Sequence, residues 1–408
     1  MSAARIAMVA ACPFPSPQGS QVFVEQMSQR LVARGHEVHL FTYGQGREVS
    51  DRGFVHHRIR RLPGDDATRS GPRPAKPLLD AMLTRALVHV LGQLRFDVVH
   101  CHNYEAAVVG AVARTWRGVP VVYHSHNLMG DELSTYFSTR ATKRVASSFG
   151  SLMDRTVPRS SDHVIALCDY SAGVLRRAGV ASERLSVIPP AIDDEGAART
   201  AREARRALGL AETGGAWVGY CGNLDAYQSL DVLLAGFARL QDRDARLLIA
   251  THRVDPSLGA ALREHGLGAR AHVLELATWS RARAAMEACD VLVLPRRHGS
   301  GWPIKLLNYL SLGRTVVAAG CGAKVLVDGQ DGLLCPDDDA QALADAIDRA
   351  LASESLRRAL GGAARARFLR EFTWDAVLPA IERIYTRCAA EKALPRSGMH
   401  VNVGGRNP

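Results

Sequence analysis

Short apolar runs alternate with helical patterns along nearly the whole chain, the signature of parallel strands joined by helices. In the first half, residues 5–11, 37–43, 97–102, 119–124, 163–167 and 185–188 read as strands. Apolar positions recur at helical spacing over 21–34, 79–94, 105–114 and 170–177, and Gly35 stops the first of these. Residues 13–19 form a turn-rich loop between the first strand and the first helix. After Pro189-Pro190 comes a polar stretch, 193–206, expected to be a linker. Strand patterns restart at 216–221, 246–251, 272–276, 291–295 and 315–319, with helices after them that include 230–240 and 341–351. A last helix is expected over 377–389, and the Gly/Asn/Pro/Arg-rich tail 394–408 is expected to be disordered.

The pattern divides the chain into a first domain, 1–195, and a second, 196–374, with a helix at 375–390 returning to the first. Doubly wound sheets bind ligands beyond the C-terminal ends of their strands, so both sets of ends would face one cleft. Behind the apolar run 289–295 lies Arg296-Arg297-His298-Gly299-Ser300-Gly301-Trp302-Pro303-Ile304-Lys305, then a helix that Pro303 is placed to open. A small-residue loop with fixed cations before a helix start suits an anion, because free N–H groups and the helix dipole point at it. The segment reads as the seat of a ligand's phosphates.

Composition narrows the class without naming a reaction. At 408 residues the chain exceeds one ordinary core. The net charge of +10 is spread over both halves, with 24 basic and 18 acidic side chains in 1–200 and 27 and 23 in 201–408. So diffuse a balance permits anionic ligands or peripheral contact with an anionic membrane, and no nucleic-acid stripe or motif is present. The eight cysteines have no CxxC pair, and Cys101, Cys168, Cys221 and Cys289 lie in or beside apolar runs, where a free thiol is a small hydrophobe. With no secretory pattern ahead of Ile6, a cytoplasmic location is expected. No apolar run approaches membrane-spanning length. Residues 58–76 hold six basic side chains against Asp65 and Asp66 and read as a mobile solvated loop, with an anionic membrane or phosphorylated acceptor as the functional alternative.

Several separated segments, in order, resemble the retaining glycosyltransferases of family 4. They are Pro13-Phe14-Pro15-Ser16-Pro17-Gln18-Gly19-Ser20-Gln21, Ala33-Arg34-Gly35-His36-Glu37-Val38, Asp97-Val98-Val99-His100-Cys101-His102 and Val119-Pro120-Val121-Val122-Tyr123-His124-Ser125-His126-Asn127. Ser186-Val187-Ile188-Pro189-Pro190-Ala191-Ile192-Asp193, Gly219-Tyr220-Cys221-Gly222-Asn223-Leu224 and Asn308-Tyr309-Leu310-Ser311-Leu312-Gly313-Arg314-Thr315-Val316-Val317 follow. The resemblance spans roughly residues 5 to 385 and implies the GT-B fold, two Rossmann-like α/β domains facing across a cleft. It further implies transfer of a sugar from a nucleotide-diphosphate sugar, with retained configuration and no catalytic metal. The second domain would hold the donor and the first the acceptor.

Departures from the family pattern fall on the donor side. An Arg usually follows the donor-domain glycine, with a Lys a few residues on; here stand Asn223 and then Ala226-Tyr227-Gln228. The family's two glutamates separated by seven residues are Ser300 and Asn308, and Pro303 stands where a glycine commonly supplies an N–H. A diphosphate in a partly desolvated cleft still needs cations. Lys305, with one or two of Arg253, Arg296 and Arg297, is therefore expected to replace the missing pair. Asn308 should hold a ribose hydroxyl more weakly than a carboxylate would.

Resemblance and charge together give a donor set of Gly222, Asn223, Gln228, Arg253, Leu276, Arg296, Ser300, Gly301, Trp302, Pro303, Ile304 and Asn308. The acceptor-side set is Gly19, Ser20, His102, Asn103 and Asn127, and the catalytic pair is His126 and Lys305. Each has a plainer reading. Gly19 either makes a strand-to-helix turn or lets backbone N–H groups approach substrate. His126, at the end of a strand, either closes its loop or helps position the transferring sugar. In the second case the departing diphosphate takes the acceptor proton, and the protein stabilises its charge. Asn103-Tyr104-Glu105 offers acceptor contacts or a helix cap, Asp131 and Glu132 face the acceptor or, on the plainer reading, are solvated acids at a helix start, and Trp302 either stacks on a ligand or plugs a gap. Asp337-Asp338-Asp339 reads as a helix cap. His100, His102 and His124 have no acidic neighbours and match zinc spacing poorly, so no metal is expected.

The expectation is a metal-independent retaining glycosyltransferase with a nucleotide-sugar co-substrate, no bound cofactor, and a small-molecule or lipid-linked acceptor. Its rivals are a nucleotide-sugar epimerase on the same fold and a catalytically silent GT-B partner subunit.

Overall fold

The computed structural model describes residues 3–15, 19–46, 52–63, 73–211, 214–225, 228–296 and 302–393. The expected disordered tail, 394–408, lies outside them. Thirteen strands are described. In the first half they are β1 (Arg5–Ala10), β2 (Glu37–Thr42), β3 (Val55–Arg58), β4 (Val98–His102), β5 (Val121–Ser125), β6 (His163–Ala166) and β7 (Leu185–Val187). The second half adds β8 (Trp217–Cys221), β9 (Arg246–Thr251), β10 (Ala271–Glu275), β11 (Val291–Leu294), β12 (Thr315–Ala318) and β13 (Leu333–Leu334). They form two sheets, ordered β3-β2-β1-β4-β5-β6-β7 and β10-β9-β8-β11-β12-β13, with every pair parallel. Each is a Rossmann-like sheet whose order reverses at its centre, between β1 and β4 and between β8 and β11. Such a reversal opens a crevice for ligand.

Burial on both faces explains why the strands read as unbroken apolar runs. Every residue of β4 and β5 is buried. One face of the first sheet is covered by helices Lys76–Gln93 and Asn103–Arg117 through Leu79, Leu83, Leu87, Ala106 and Val109. The other face meets helix Gly19–Ala33 and the last helix, Trp374–Ala393, whose Trp374, Leu378, Ile381 and Tyr385 join Met8, Phe23 and Met27. The chain crosses between domains twice, side by side: Ile192 N–H donates to Phe372 O at 3.0 Å, and Ile192 pairs with Thr373.

Polar contacts fasten the returning helix. Glu382 accepts from Arg34 Nε at 2.6 Å and Arg34 Nη2 at 2.8 Å, and His36 Nε2 lies 3.1 Å from the same carboxylate. The Arg34 hydrogen bonds hold its pKa below the ordinary 4.5. A carboxylate with a depressed folded pKa stabilises the fold above the unfolded value, and that contribution disappears as pH falls through the folded one. Glu382→Ala is therefore expected to cost about 1–2 kcal/mol at pH 7. In urea melts at descending pH, its curve should converge on that of the unaltered protein below pH 4.5. A gap that persisted in acid would contradict the assignment.

Three stretches depart from expectation. The linker expected over 193–206 gives way to helix Ala201–Ala207, opened by a capping box in which Thr200 accepts from Glu203 N–H and Glu203 reaches back. Strand β3, His-rich and only half-buried, lacks an apolar pattern. Helix Arg140–Thr156 buries Ala146, Gly150 and Asp154 and turns most of its larger apolar side chains outward, which hides it from a search for an inward stripe.

Candidate active site

The end of β1, the start of helix Gly19–Ala33 and the loops after β4 and β5 enclose a pocket in the first domain. Ser20, Asn103 and Asn127, three of the five residues named for the acceptor side, line it. Asn103 opens its helix with φ at +69°, a left-handed conformation that Asn tolerates better than most residues. Tyr104 and Glu132, weighed as possible contacts, also line the pocket, as do Arg73, Lys76 and Tyr136, which were not in the expected set. Lys76 pairs with Glu105, which is buried. Glu132 is not a solvated acid: burial raises its pKa, and Tyr136 donates to it at 2.9 Å. Both ends of the expected mobile loop are thus engaged, since Arg58 Nη2 donates to the carbonyls of Gly44 and Gly46 at 2.9 and 2.8 Å.

Beneath this pocket four imidazoles stack along β4 and β5. His102 and His124 face each other in register, and His100 and His126 extend the ladder. His102 Nδ1 is 2.9 Å from His126 Nε2, His100 Nε2 is 3.2 Å from His124 Nδ1, and His100 Nδ1 is 2.5 Å from the Tyr385 hydroxyl. Burial drives all four towards the neutral form, His126 to about 4 and His100 to about 3. His126 alone is only half-buried, so it is the rung open to the cleft. His102, expected to touch an acceptor, is wholly buried and instead orients His126. His100, His102 and His124 offer nitrogens within 4.8 Å of one another, the one such group among the described residues.

Across the cleft, the second domain presents helix Ile304–Ser311 behind β11. Its first turn meets the first helix of the other domain: a β-carbon on Gly19 would lie 3.8 Å from Ile304 Cγ1. Pro303, expected to open the helix from its first turn, is instead the N-cap, and the helix starts one residue later at Ile304. Lys305 Nζ donates to the Tyr220 hydroxyl and to Gln228 Oε1, both at 2.9 Å, and lies 4.5 Å from the Tyr220 ring centroid. Burial, with opposition from Arg296, pulls its pKa down to about 8. Gly222, with φ at +153°, makes room for it, since a β-carbon there would sit 2.4 Å from Nζ. Gln228 Nε2 donates to Asn223 Oδ1 at 2.8 Å, and Asn223 in turn pairs with Asp225. Two neutral amides stand where the family places cations, and they brace a half-buried ammonium.

Arg296 is half-buried, near enough for its charge to oppose protonation of both Lys305 and Lys324. Lys324 was not expected. It ends the turn Gly320–Lys324 and reaches the first domain, with Nζ 5.3 Å from the Tyr170 ring. Arg253 is exposed, and no described contact joins its side chain to Lys305 or Arg296. Asn308 is half-buried beside the same helix. Trp302 is a core residue, packed 6.1 Å from Phe372, which favours the gap-filling reading. Leu276 is buried as well, and its carbonyl lies 3.2 Å from His252 Nδ1. Arg297, Ser300 and Gly301 lie outside the described residues.

The family model Glycosyltransferase Family 4 matches residues 17–195, and that of Glycosyl transferases group 1 matches residues 215–353. The D-inositol 3-phosphate glycosyltransferase of Corynebacterium diphtheriae is 24% identical over 417 residues, covering 94% of this chain and 95% of that protein. The enzyme of the same name from Geodermatophilus obscurus is 26% identical over 411 residues, covering 92% and 86%. Among solved structures, sucrose-phosphate synthase from Thermosynechococcus elongatus matches with a TM-score of 0.81 at 20% identity, over 95% of this chain and 100% of that one. Anabaena HepE in complex with UDP and glucose matches with a TM-score of 0.75 at 18% identity, over 94% and 100%. At these identities the structural likeness speaks for the GT-B fold.

Proposed function

Because this chain belongs to the glycosyltransferases of family 4, we propose that it moves a hexosyl group from a nucleotide-diphosphate sugar to a small-molecule or lipid-linked acceptor, retaining anomeric configuration without a catalytic metal. The observation that carries this reading is Lys305, a half-buried ammonium whose described hydrogen bonds both go to neutral oxygens, at a helix start facing the first domain. Such a charge calls for an anion.

A donor's pyrophosphate would lie at this helix start, with Lys305 and Arg296 meeting its charge and Lys324 close by. As the sugar–oxygen bond breaks, negative charge grows on the leaving phosphate, and fixed cations in a water-poor cleft stabilise it most at that moment. The leaving oxygen takes the acceptor's proton. Neutral His126, held by His102, would hydrogen-bond the sugar across the cleft. In the His100–His102–His124 group, His100 Nδ1 faces Tyr385 and His102 Nδ1 faces His126, while Nε2 of His102 and of His124 have no hydrogen-bond partner among the described residues.

Neutral Asn223, Gln228 and Asn308 in place of the family's charged residues favour one rival, a silent partner that binds nucleotide-sugar without turning it over. A thermal-shift screen against UDP, GDP, ADP and dTDP identifies the base, because a ligand of the folded state alone raises apparent stability. Incubation with the matching nucleotide-sugars then separates the readings. Slow release of free nucleotide diphosphate supports a transferase. Binding without turnover supports the silent partner, and sugar interconversion without nucleotide loss points to an epimerase.

A further inference from the structure

Helix Arg140–Thr156 is held to its domain by its smallest residues. Gly150 lies so close to Met129 that a β-carbon there would be 2.1 Å from the Met129 carbonyl oxygen. Asp154, on the same inward face, accepts from Met129 N–H at 2.9 Å and Gly130 N–H at 2.8 Å. Met153 packs inward with them, and the remaining large apolar side chains point the other way. Val145, Phe149 and Leu152 recur at i, i+4 and i+7 and are 71%, 58% and 53% exposed. A helix folding only against its own core would turn that stripe inward.

Charge accompanies the stripe. Arg140, Lys143, Arg144, Arg155 and Arg159 are all exposed, while the single acid between residues 133 and 160 is the inward-facing Asp154. The turn after the helix is tied to helix Asn103–Arg117 by Arg114, which donates to Ser160 O at 3.0 Å. That neighbouring helix turns out Val108, Val112 and Trp116, the last 73% exposed.

We propose that this face docks on an anionic lipid bilayer. Apolar side chains ringed by cations and free of exposed acids match the boundary between acyl chains and anionic headgroups, where a surface helix lies flat. Self-association fits poorly, because a twofold contact through one patch sets its cations against the same cations. Leu133 and Tyr136, which line the acceptor pocket, lie on the segment leading into this helix. Docking therefore brings the pocket to the lipid surface, and the acceptor is lipid-borne. That last step rests on the glycosyl-transfer reading; the docking does not.

Co-sedimentation of the full chain with vesicles tests it. The protein should pellet with an equal mixture of phosphatidylcholine and phosphatidylglycerol and remain in solution with phosphatidylcholine alone. Phe149→Ser with Leu152→Ser, and separately Arg144→Glu with Arg155→Glu, should each weaken binding at least about tenfold. Nucleotide-induced thermal shifts should stay unchanged, which certifies the fold of the variants. Absence of vesicle binding by the unaltered protein overturns the proposal, as does full binding by both double variants. So does a dimer that Phe149→Ser with Leu152→Ser converts to monomer, since a second copy would then cover the face. Vesicle binding without any nucleotide response would leave docking standing and sink the transferase reading.

Discussion

Lys305→Met is expected to weaken nucleotide-diphosphate binding by about 10- to 100-fold, the equivalent of one or two charge-assisted hydrogen bonds in a desolvated site. Methionine keeps the length and apolar stem of the lysine, so the helix start and the Gly222 backbone need not move. Only the charge and the donor hydrogens go. Calorimetric titration with the nucleotide found in the thermal-shift screen measures the loss, and equal affinities would refute the role.

Acidity supplies a second signature of the same group. The ammonium of Lys305 titrates near 8 in the empty protein, and a bound pyrophosphate raises that value by attraction. Affinity should therefore hold below pH 8 and fall above it, by up to about tenfold per pH unit, until the pKa of the complex is passed. In Lys305→Met the same window should be flat. The stability effect has the opposite sense. With a folded pKa below the ordinary 10.5, the unfolded chain binds this proton more tightly, so the lysine destabilises the fold below pH 8 and less so as pH rises towards 10.5. Binding should thus drop without any loss of melting temperature, the pattern of a residue kept for function.

How far the sequence foretells this site depends on which force places each residue. Strands β4 and β5 are buried on both faces, so their apolar character is continuous and their C-terminal ends are legible. His126, Asn103 and Gly222 follow from being the next residues along. The triple aspartate declares its cap, since Asp339 accepts from Ala342 N–H at 2.9 Å. The helix at Ala201–Ala207 was legible too, from the Thr200/Glu203 capping box inside an otherwise polar stretch. Lys324 and Arg73 are different. Neither sits in a motif, and each reaches the cleft through tertiary packing, Lys324 by domain apposition onto Tyr170. Trp302 shows the converse limit: an aromatic beside a ligand loop has the same local sequence whether it stacks on substrate or on Phe372.

Glu287→Ala is expected to be the most damaging single change away from the cleft, at about 1.5–3 kcal/mol, because it removes a buried carboxylate that accepts charge-assisted hydrogen bonds from two arginines. Glu287 is 1% exposed and accepts from Arg199 Nε at 2.8 Å, Arg199 N–H at 3.3 Å and Arg283 Nε at 2.9 Å. Arg283 also holds Glu195 at 2.9 Å, Arg365 grips Asp194 through two bonds of 2.7 and 2.9 Å, and Arg314 Nη2 donates to the carbonyls of Arg199 and Glu287, each at 2.8 Å. The segment from Asp194 to Arg199 is thereby lashed to the second domain straight after the chain crosses at Ile192. Without the carboxylate, Arg199 loses its partner and Arg283 keeps only Glu195, while Arg314 stays beside them with Asp290 as its counter-charge. The same lashing predicts that any relative motion of the two halves pivots at the paired crossings at Ile192 and Thr373. Urea unfolding measures the loss, and Glu287→Gln, which keeps one acceptor oxygen, should recover part of it. Nucleotide affinity, set at Lys305, should stay unchanged in folded protein. A Glu287→Ala cost under about 1 kcal/mol would mean that solvent already screens the network, and the hinge would then have to be sought along the whole linker.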